Sequence, residues 1–253
     1  MAKDSPILPT EPSPWKGNGE GRPIQNEILL DLPRKECESL LAQLEFVRLK
    51  PGQVLHEAGE PLKSGYFCNS GMFSVLSTMP DGKMGAVGLI GNEGFAGVPL
   101  IAGFRTGHAR TIVQLEATAF RVHGDLLPAL FRQFPTLERQ LQRYAQFLTL
   151  QVMQTAACNR LHEVHQRLAR WLLMTRDRFS SDSLPLTQDF LSQMIGTRRA
   201  SVTVCAGILQ EARLISYRRG IVTILNRRGL EESACDCYRL LQQQTEEWQR
   251  QLE

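Results

Sequence analysis

Between Leu49 and Val122 a glycine recurs every few residues, at 52, 59, 65, 71, 82, 85, 88, 91, 94, 97, 103 and 107. The runs between them are short and apolar, such as Tyr66-Phe67, Phe73-Ser74-Val75-Leu76 and Thr111-Ile112-Val113. Short strands broken by turns at this rate predict a β-roll or jelly-roll barrel. Pro80-Asp81-Gly82-Lys83 is a hairpin turn signal, because glycine accepts positive φ without steric cost. Most of the glycines are expected to be turns.

The texture on either side is helical. Ile28 to Phe46 places Leu40, Leu41 and Leu44 at helical spacing and predicts a short helix. Leu126 to about Arg178 reads as helix almost throughout. Within it Leu137, Leu141, Tyr144, Leu148 and Val152 form a narrow apolar stripe on a helix that starts after Pro135. The stripe suits either its own barrel or the same helix of a second subunit, and the polar flanks Arg139, Gln142, Arg143 and Gln146 favour the two-helix seam. A second helix, from Glu163 to about Thr175, is expected to bury Val164, Leu168, Trp171 and Leu172. Residues 1–26 carry five prolines and three glycines and read as a mobile arm.

Length and composition set the outer bounds. A chain of 253 residues, 42% hydrophobic and 22% charged, has room for two modest domains and is not a disordered polymer. No run approaches the roughly 18–20 apolar residues of a membrane span, and no signal-peptide core opens the chain, so no membrane partner and a cytoplasmic location are expected. Six scattered cysteines predict reduced thiols rather than a disulfide scaffold.

A net charge of +3 conceals a strong asymmetry. Residues 160–228 hold twelve arginines against five acids, and residues 229–253 hold six acids against two arginines. No lysine follows Lys83, so the basic block is entirely guanidinium, suited to bidentate contact with phosphate or guanine. Such a block is the footprint expected for a polyanion.

The segment Leu186 to Leu225 gives that charge a purpose. Thr187 is a candidate N-cap for a short helix with Phe190, Leu191, Met194 and Ile195 on one face. Gly196 supplies a turn, and Arg198 to Gln210 begins a second helix whose buried face is Val202, Cys205, Ala206 and Leu209. Two short helices joined through glycine are a helix-turn-helix. Leu214 to Tyr217 and Ile221 to Leu225, joined by Arg218-Arg219-Gly220, read as a β-hairpin wing. Arg198, Arg199, Ser201 and Thr203 stand at the end of the second helix that enters a major groove in this motif.

With these residues the chain resembles the cyclic-AMP receptor protein / fumarate–nitrate reduction regulator (CRP/FNR) family of bacterial transcription factors over about residues 28 to 228. Ile195-Gly196-Thr197-Arg198-Arg199-Ala200-Ser201-Val202-Thr203 is the most specific stretch. The resemblance implies an α+β chain: a cyclic-nucleotide-binding-like β-roll (27–134), a dimerisation helix and hinge (135–160) and a winged helix-turn-helix (161–228); residues 229–253, read as an acidic helix from Leu230, Ala234, Tyr238, Leu241 and Trp248, extend past the family's usual core. It implies a homodimer on a near-palindromic duplex operator, with RNA polymerase as a further partner. Arg199 falls at the family's base-reading arginine and Ser201 at its phosphate-contacting hydroxyl. Arg198, Thr203, Thr187, Arg218 and Arg219 complete the expected DNA-binding set. Ala200 and Val204 depart from the family pattern, which implies a different half-site.

For the β-roll the resemblance implies an effector cradle at Glu93 and Gly94, within the Gly91–Gly97 turn, with Arg110 and Thr111 as a phosphate-binding pair. Met153 and Gln154 stand where cyclic-AMP binders place hydroxyls, which disfavours cyclic AMP and leaves the effector open. Cys37 is the only cysteine before residue 68, so an iron–sulfur cluster is not expected. His162-x-x-His165 has ligand spacing without an obvious completing set, and Cys235-x-Cys237 reads as free thiols, so no metal site is expected. Haem on His56, His108 or His123 stays open. A cupin-type enzyme would need a closer His-x-His pattern than these histidines offer. A sensor module acting only through protein partners would not need the arginine-rich wing.

Overall fold

The computed structural model describes residues 23–250 apart from Ser180, so the expectation of a mobile arm over residues 1–22 lies outside the described residues. The residues that follow belong to the fold. Asn26 is fully buried; its Nδ2 donates to the carbonyls of Cys68, Asn92 and Gly94 at 2.8, 3.0 and 2.9 Å. Its Oδ1 also caps α1 (Glu27–Leu30) by accepting from the Leu29 amide. A second helix, α2 (Arg34–Leu41), then leads into β1 (Glu45–Leu49).

The glycine-rich segment folds as an antiparallel roll. β2 (Val54–His56), β3 (Ser64–Thr78), β4 (Met84–Ile90), β5 (Phe95–Ala96) and β6 (Ala109–His123) follow, with the short α3 (Val98–Ile101) before β6. The strands run in the order β1-β6-β3-β4, with β2 on β6 and β5 on β3. β3 and β6 are fifteen residues each and pair along most of their length, from Ser64↔His123 to Ser77↔Ala109. Three register shifts along that pair bend the ladder and help the sheet to curl. Gly82 turns the β3–β4 hairpin at φ 80°, beside an Asp81 carboxylate that accepts from the Lys83 amide.

Inside the roll Phe67, Phe73, Phe95 and Phe120 are fully buried. Against them pack α4 (Leu127–Gln133) and the long α5 (Pro135–Leu161). α6 (Val164–Phe179) follows after a two-residue hinge. The helix-turn-helix consists of α7 (Gln188–Ile195) and α8 (Arg199–Glu211). A three-stranded sheet borders it: β7 (Ser183–Pro185) pairs with β9 (Ile221–Ile224), which pairs with β8 (Ile215–Arg218). β7 was not foreseen, since a three-residue strand carries no periodicity of its own. α9 (Arg227–Ser233) and α10 (Cys237–Arg250) close the chain.

The two halves share a core. Met72, Leu76, Ala86, Leu89 and Leu115 of the roll lie in one apolar cluster with Leu168, Trp171, Leu172, Met194 and Ile195 of the helical part.

Candidate nucleic-acid interface and effector cradle

The helix-turn-helix is specified locally. Thr187 Oγ1 accepts from the Phe190 amide at 3.2 Å, capping α7 as expected. Gly196 ends α7 at φ 65°, and the Thr197 amide donates to the Ser192 carbonyl at 3.0 Å. This left-handed residue sets the sharp turn. α8 starts one residue later than expected: Arg198 is itself the cap residue, in extended conformation, and makes no side-chain cap bond. Val202, Cys205, Ala206 and Leu209 are buried.

The opposite side of α8 faces outward. Arg198, Arg199 and Thr203 are exposed, and Ser201 is half-buried. Arg199 Nη1 lies 3.3 Å from Asp189 Oδ1, with both side chains largely exposed, so the pair contributes little stability and leaves the guanidinium available. Thr203 Oγ1 donates to Gln188 Oε1 or to the Arg199 carbonyl, each at 3.1 Å. Val204 and Ile208 continue the exposed face as an apolar line. Elimination of the buried face was the only sequence signal for Ile208.

The wing turns through Arg219 at φ 50° and Gly220 at φ 76°, two successive positive-φ residues as in the tight hairpin turns that match strand twist. Arg218 and Arg219 are exposed at its tip. The Tyr217 hydroxyl donates to the Leu186 carbonyl at 2.9 Å, tying the wing to the start of α7. Thr187, Arg198, Arg199, Ser201, Thr203, Arg218 and Arg219 thus all lie on this winged unit.

The effector residues are not gathered in the same way. Glu93 Oε1 accepts from Arg178 Nε of α6 at 2.7 Å, with the side chains only 19% and 13% exposed. Burial opposes the charge of Arg178, and Glu93 overrides it, so its pKa rises above the usual guanidinium value. Gly94 makes room for a ring: a Cβ there would stand 2.4 Å from Tyr144 Oη. Burial, reinforced by the charge of Glu93, pushes the Tyr144 phenol well above its usual range. Arg110 instead pairs with Glu57 at 3.2 Å, and Thr111 is buried on β6. In this structure Glu93 and Arg110 each hold a protein partner and Gly94 packs against Tyr144, so the four residues expected at an effector cradle do not converge on one another. Arg178, hidden among twelve arginines, was missed because a partner 85 residues away leaves no spacing signal.

Of the two surfaces that the α5 stripe suits, the chain's own roll is the one seen here. Leu137, Leu141, Tyr144 and Leu148 are buried against the chain's own roll, and Val152 is half-buried. A narrow stripe fits a curved sheet as well as it fits a partner helix. The opposite side of α5 presents Leu150, Met153, Ala157 and Leu161, with Met153 63% and Leu161 74% exposed.

The histidines are dispersed. His56 Nε2 donates to the Ser64 carbonyl at 2.7 Å, and burial lowers its pKa despite that bond. His108 and His123 are exposed, His123 beside Asp125. The expectation of no metal-ligand set meets a different outcome: His162 lies not with His165 but with Cys158, Cys235 and Cys237.

Residues 166–233 match the family model of the Crp-like helix-turn-helix domain. A CRP-like cAMP-activated global transcriptional regulator of Mycobacterium tuberculosis is 26% identical over 173 residues, covering 65% of this chain and 76% of that protein. Among solved structures, the c-di-GMP responsive global regulator CLP of Xanthomonas campestris has a TM-score of 0.65 at 18% identity, covering 76% of this chain and 99% of that one. A CRP-family transcriptional regulator of Thermus thermophilus has a TM-score of 0.63 at 18% identity, covering 74% and 96%. At such identities the structural likeness speaks for the fold. The Mycobacterium and Thermus relatives are transcriptional regulators, and the Xanthomonas one is a global regulator linked to virulence gene expression.

Proposed function

We propose that this chain, whose residues 166–233 match the Crp-like helix-turn-helix domain and which is 26% identical to a CRP-like regulator, is itself a transcription regulator of that kind and reads a specific operator as a homodimer under control of its β-roll. The observation that carries the reading is the exposed face at the start of α8. Arg198, Arg199 and Thr203 project there beside Ser201, flanked by Arg218 and Arg219 of the wing. Arg199 is assigned the bidentate contact to guanine O6 and N7, while Ser201, Thr187 and the wing arginines hold phosphates. Val204, apolar and exposed on the same face, suits a thymine methyl.

Two copies related by a two-fold axis through the outward face of α5 place their reading helices on half-sites about one turn, ~34 Å, apart. By family resemblance RNA polymerase is proposed as the further partner, a reading that supports a cytoplasmic location. No helix among the described residues is long and apolar enough to cross a membrane.

Control is assigned to the Gly91–Gly97 turn. Glu93 on that turn grips Arg178 of α6, so whatever shifts the turn pulls directly on the DNA-binding half. The effector stays unnamed, and an anion that competed for Arg178 would act through this contact.

The test is an unbiased binding selection on wild type and Arg199→Ala. The variant is expected to lose preference at one base step per half-site, worth about 1–3 kcal/mol of discrimination. An identical consensus from both proteins would remove Arg199 from base reading. Operator affinity is also expected to fall steeply with salt, because bound phosphates release counterions.

A further inference from the structure

Four side chains that the DNA-reading surface does not use meet at the hinge between α5 and α6. Cys158 lies buried in the last turn of α5, and His162 is the residue after that helix. Cys235 and Cys237 come from the junction of α9 and α10. The Sγ atoms and the imidazole nitrogen all lie within 4.8 Å of one another. Cys158 Sγ and Cys235 Sγ are 3.4 Å apart, and Cys237 Sγ is 3.5 Å from His162 Nδ1.

Those separations are the size of one ion's shell. Zn–S bonds of about 2.3 Å and Zn–N bonds of about 2.0–2.1 Å at tetrahedral angles place ligand atoms roughly 3.5–3.8 Å apart. An iron–sulfur cluster interposes its own irons and sulfides and holds its thiolates farther apart. Three soft thiolates also select against magnesium and calcium. Three cysteines and one histidine form a closed set with no open position for substrate, which is the structural rather than the catalytic type.

An independent observation points to the same place. Arg170 is 4% exposed, its Nε and Nη1 have no hydrogen-bond partner, and it pairs with no carboxylate among the described residues. A buried guanidinium without a counter-charge is expensive. Its field reaches Cys158 and Cys235. A divalent ion held by three thiolates and a neutral imidazole carries a net charge of −1, the counter-charge Arg170 lacks. Gln154 Nε2 donates to Cys237 Sγ at 3.0 Å, the kind of outer hydrogen bond that steadies a thiolate ligand.

We propose that Cys158, His162, Cys235 and Cys237 bind one zinc ion, clamping the C-terminal segment to the hinge. Binding takes the divalent ion from solution and releases one proton from each of the three thiols to solvent. The C-terminal segment is already bolted to α6, where Arg227 Nη1 and the Tyr238 hydroxyl meet Asp177 at 2.8 and 2.7 Å. The ion therefore joins α6, through that segment, to the end of α5. The site does not depend on how the operator is read.

The test uses the full chain, reduced, stripped with a chelator, and titrated with Co²⁺ and then Zn²⁺. One Co²⁺ per chain is expected, with the intense visible bands of tetrahedral coordination and a thiolate charge-transfer band, both bleached by equimolar Zn²⁺. Cys235→Ser with Cys237→Ser should weaken Co²⁺ binding roughly tenfold or more. His162→Cys should keep binding but shift the visible bands toward those of an all-thiolate set, which guards against a serine variant that misfolds. Trypsin should cut after the exposed Arg160 in the stripped protein and more slowly in the zinc form. Faint octahedral spectra, bands unchanged in both variants, or cutting indifferent to zinc would overturn the proposal. So would recovery of a Cys158–Cys235 disulfide in a chain that, once reduced, takes up no Co²⁺.

Discussion

Gly94 has no space for a side chain. A Cβ would stand 2.4 Å from Tyr144 Oη and 2.6 Å from Cζ, and Tyr144 of α5 is itself buried in the core of the roll. Gly94→Ala is therefore expected to cost about 1–3 kcal/mol, the usual range for overpacking. A urea titration would show this as a lower midpoint at unchanged slope, and an unmoved midpoint would mean that Tyr144 gives way freely. Gly196 and Gly220 are glycines for another reason, a left-handed backbone. Their role was legible in the sequence because a turn between two periodic segments is a local event. The neighbour of Gly94 lies 50 positions along the chain, so its role was not.

At the scale of the element, α5 has two apolar faces with different fates. The face from Leu137 to Leu148 is spent on the roll, and the opposite one, at Leu150, Met153, Ala157 and Leu161, remains outward. For the dimer proposed through this face, Met153→Glu is expected to weaken association about tenfold or more, about 1.4 kcal/mol, because it would set a carboxylate in the apolar seam on both copies. Sedimentation of wild type and variant would measure this, and equal dimer fractions across concentration would place the two-fold axis elsewhere. The position and period of α5 were readable in the sequence. The choice between its faces was not, because a stripe records what must be covered and not what covers it. α7 and α8 were more legible: the cap at Thr187, the turn at Gly196 and the buried face of α8 all arise within a few residues of each other.

At the scale of the whole molecule, the roll and the helix-turn-helix half are joined by a common apolar cluster and by one buried arginine, and a second buried arginine fastens the hinge. Arg178 reaches Glu93, and Arg167 donates to the carbonyls of Asn159 and Ile195 at 3.0 and 2.5 Å, fastening the hinge to the end of α7. Arg178→Ala leaves Glu93 without a partner in a largely buried site, a loss of about 3–5 kcal/mol when one member of such a pair is removed. Arg178→Met with Glu93→Gln should recover much of that, because neither charge is then stranded. A double-mutant cycle on unfolding midpoints, read alongside operator affinity, would check both halves of the statement. Additive losses would show that the two side chains are energetically independent.

The glycine-rich roll, the long helix and the helix-turn-helix followed from periodicity and punctuation, which act over a few residues and need no knowledge of the rest of the chain, whereas the three-residue β7 and the change from helix to strand before Phe46 did not. Partnership across the fold did not. Glu93 meets Arg178, Gly94 meets Tyr144, and Cys158 meets Cys235 over separations of 85, 50 and 77 positions. A trace of the last was present, since Cys158 and His162 are four apart near a helix end and Cys235 and Cys237 flank one residue. Each half is an incomplete ligand set, and it took the packing of α9 and α10 back onto the hinge to bring the two together.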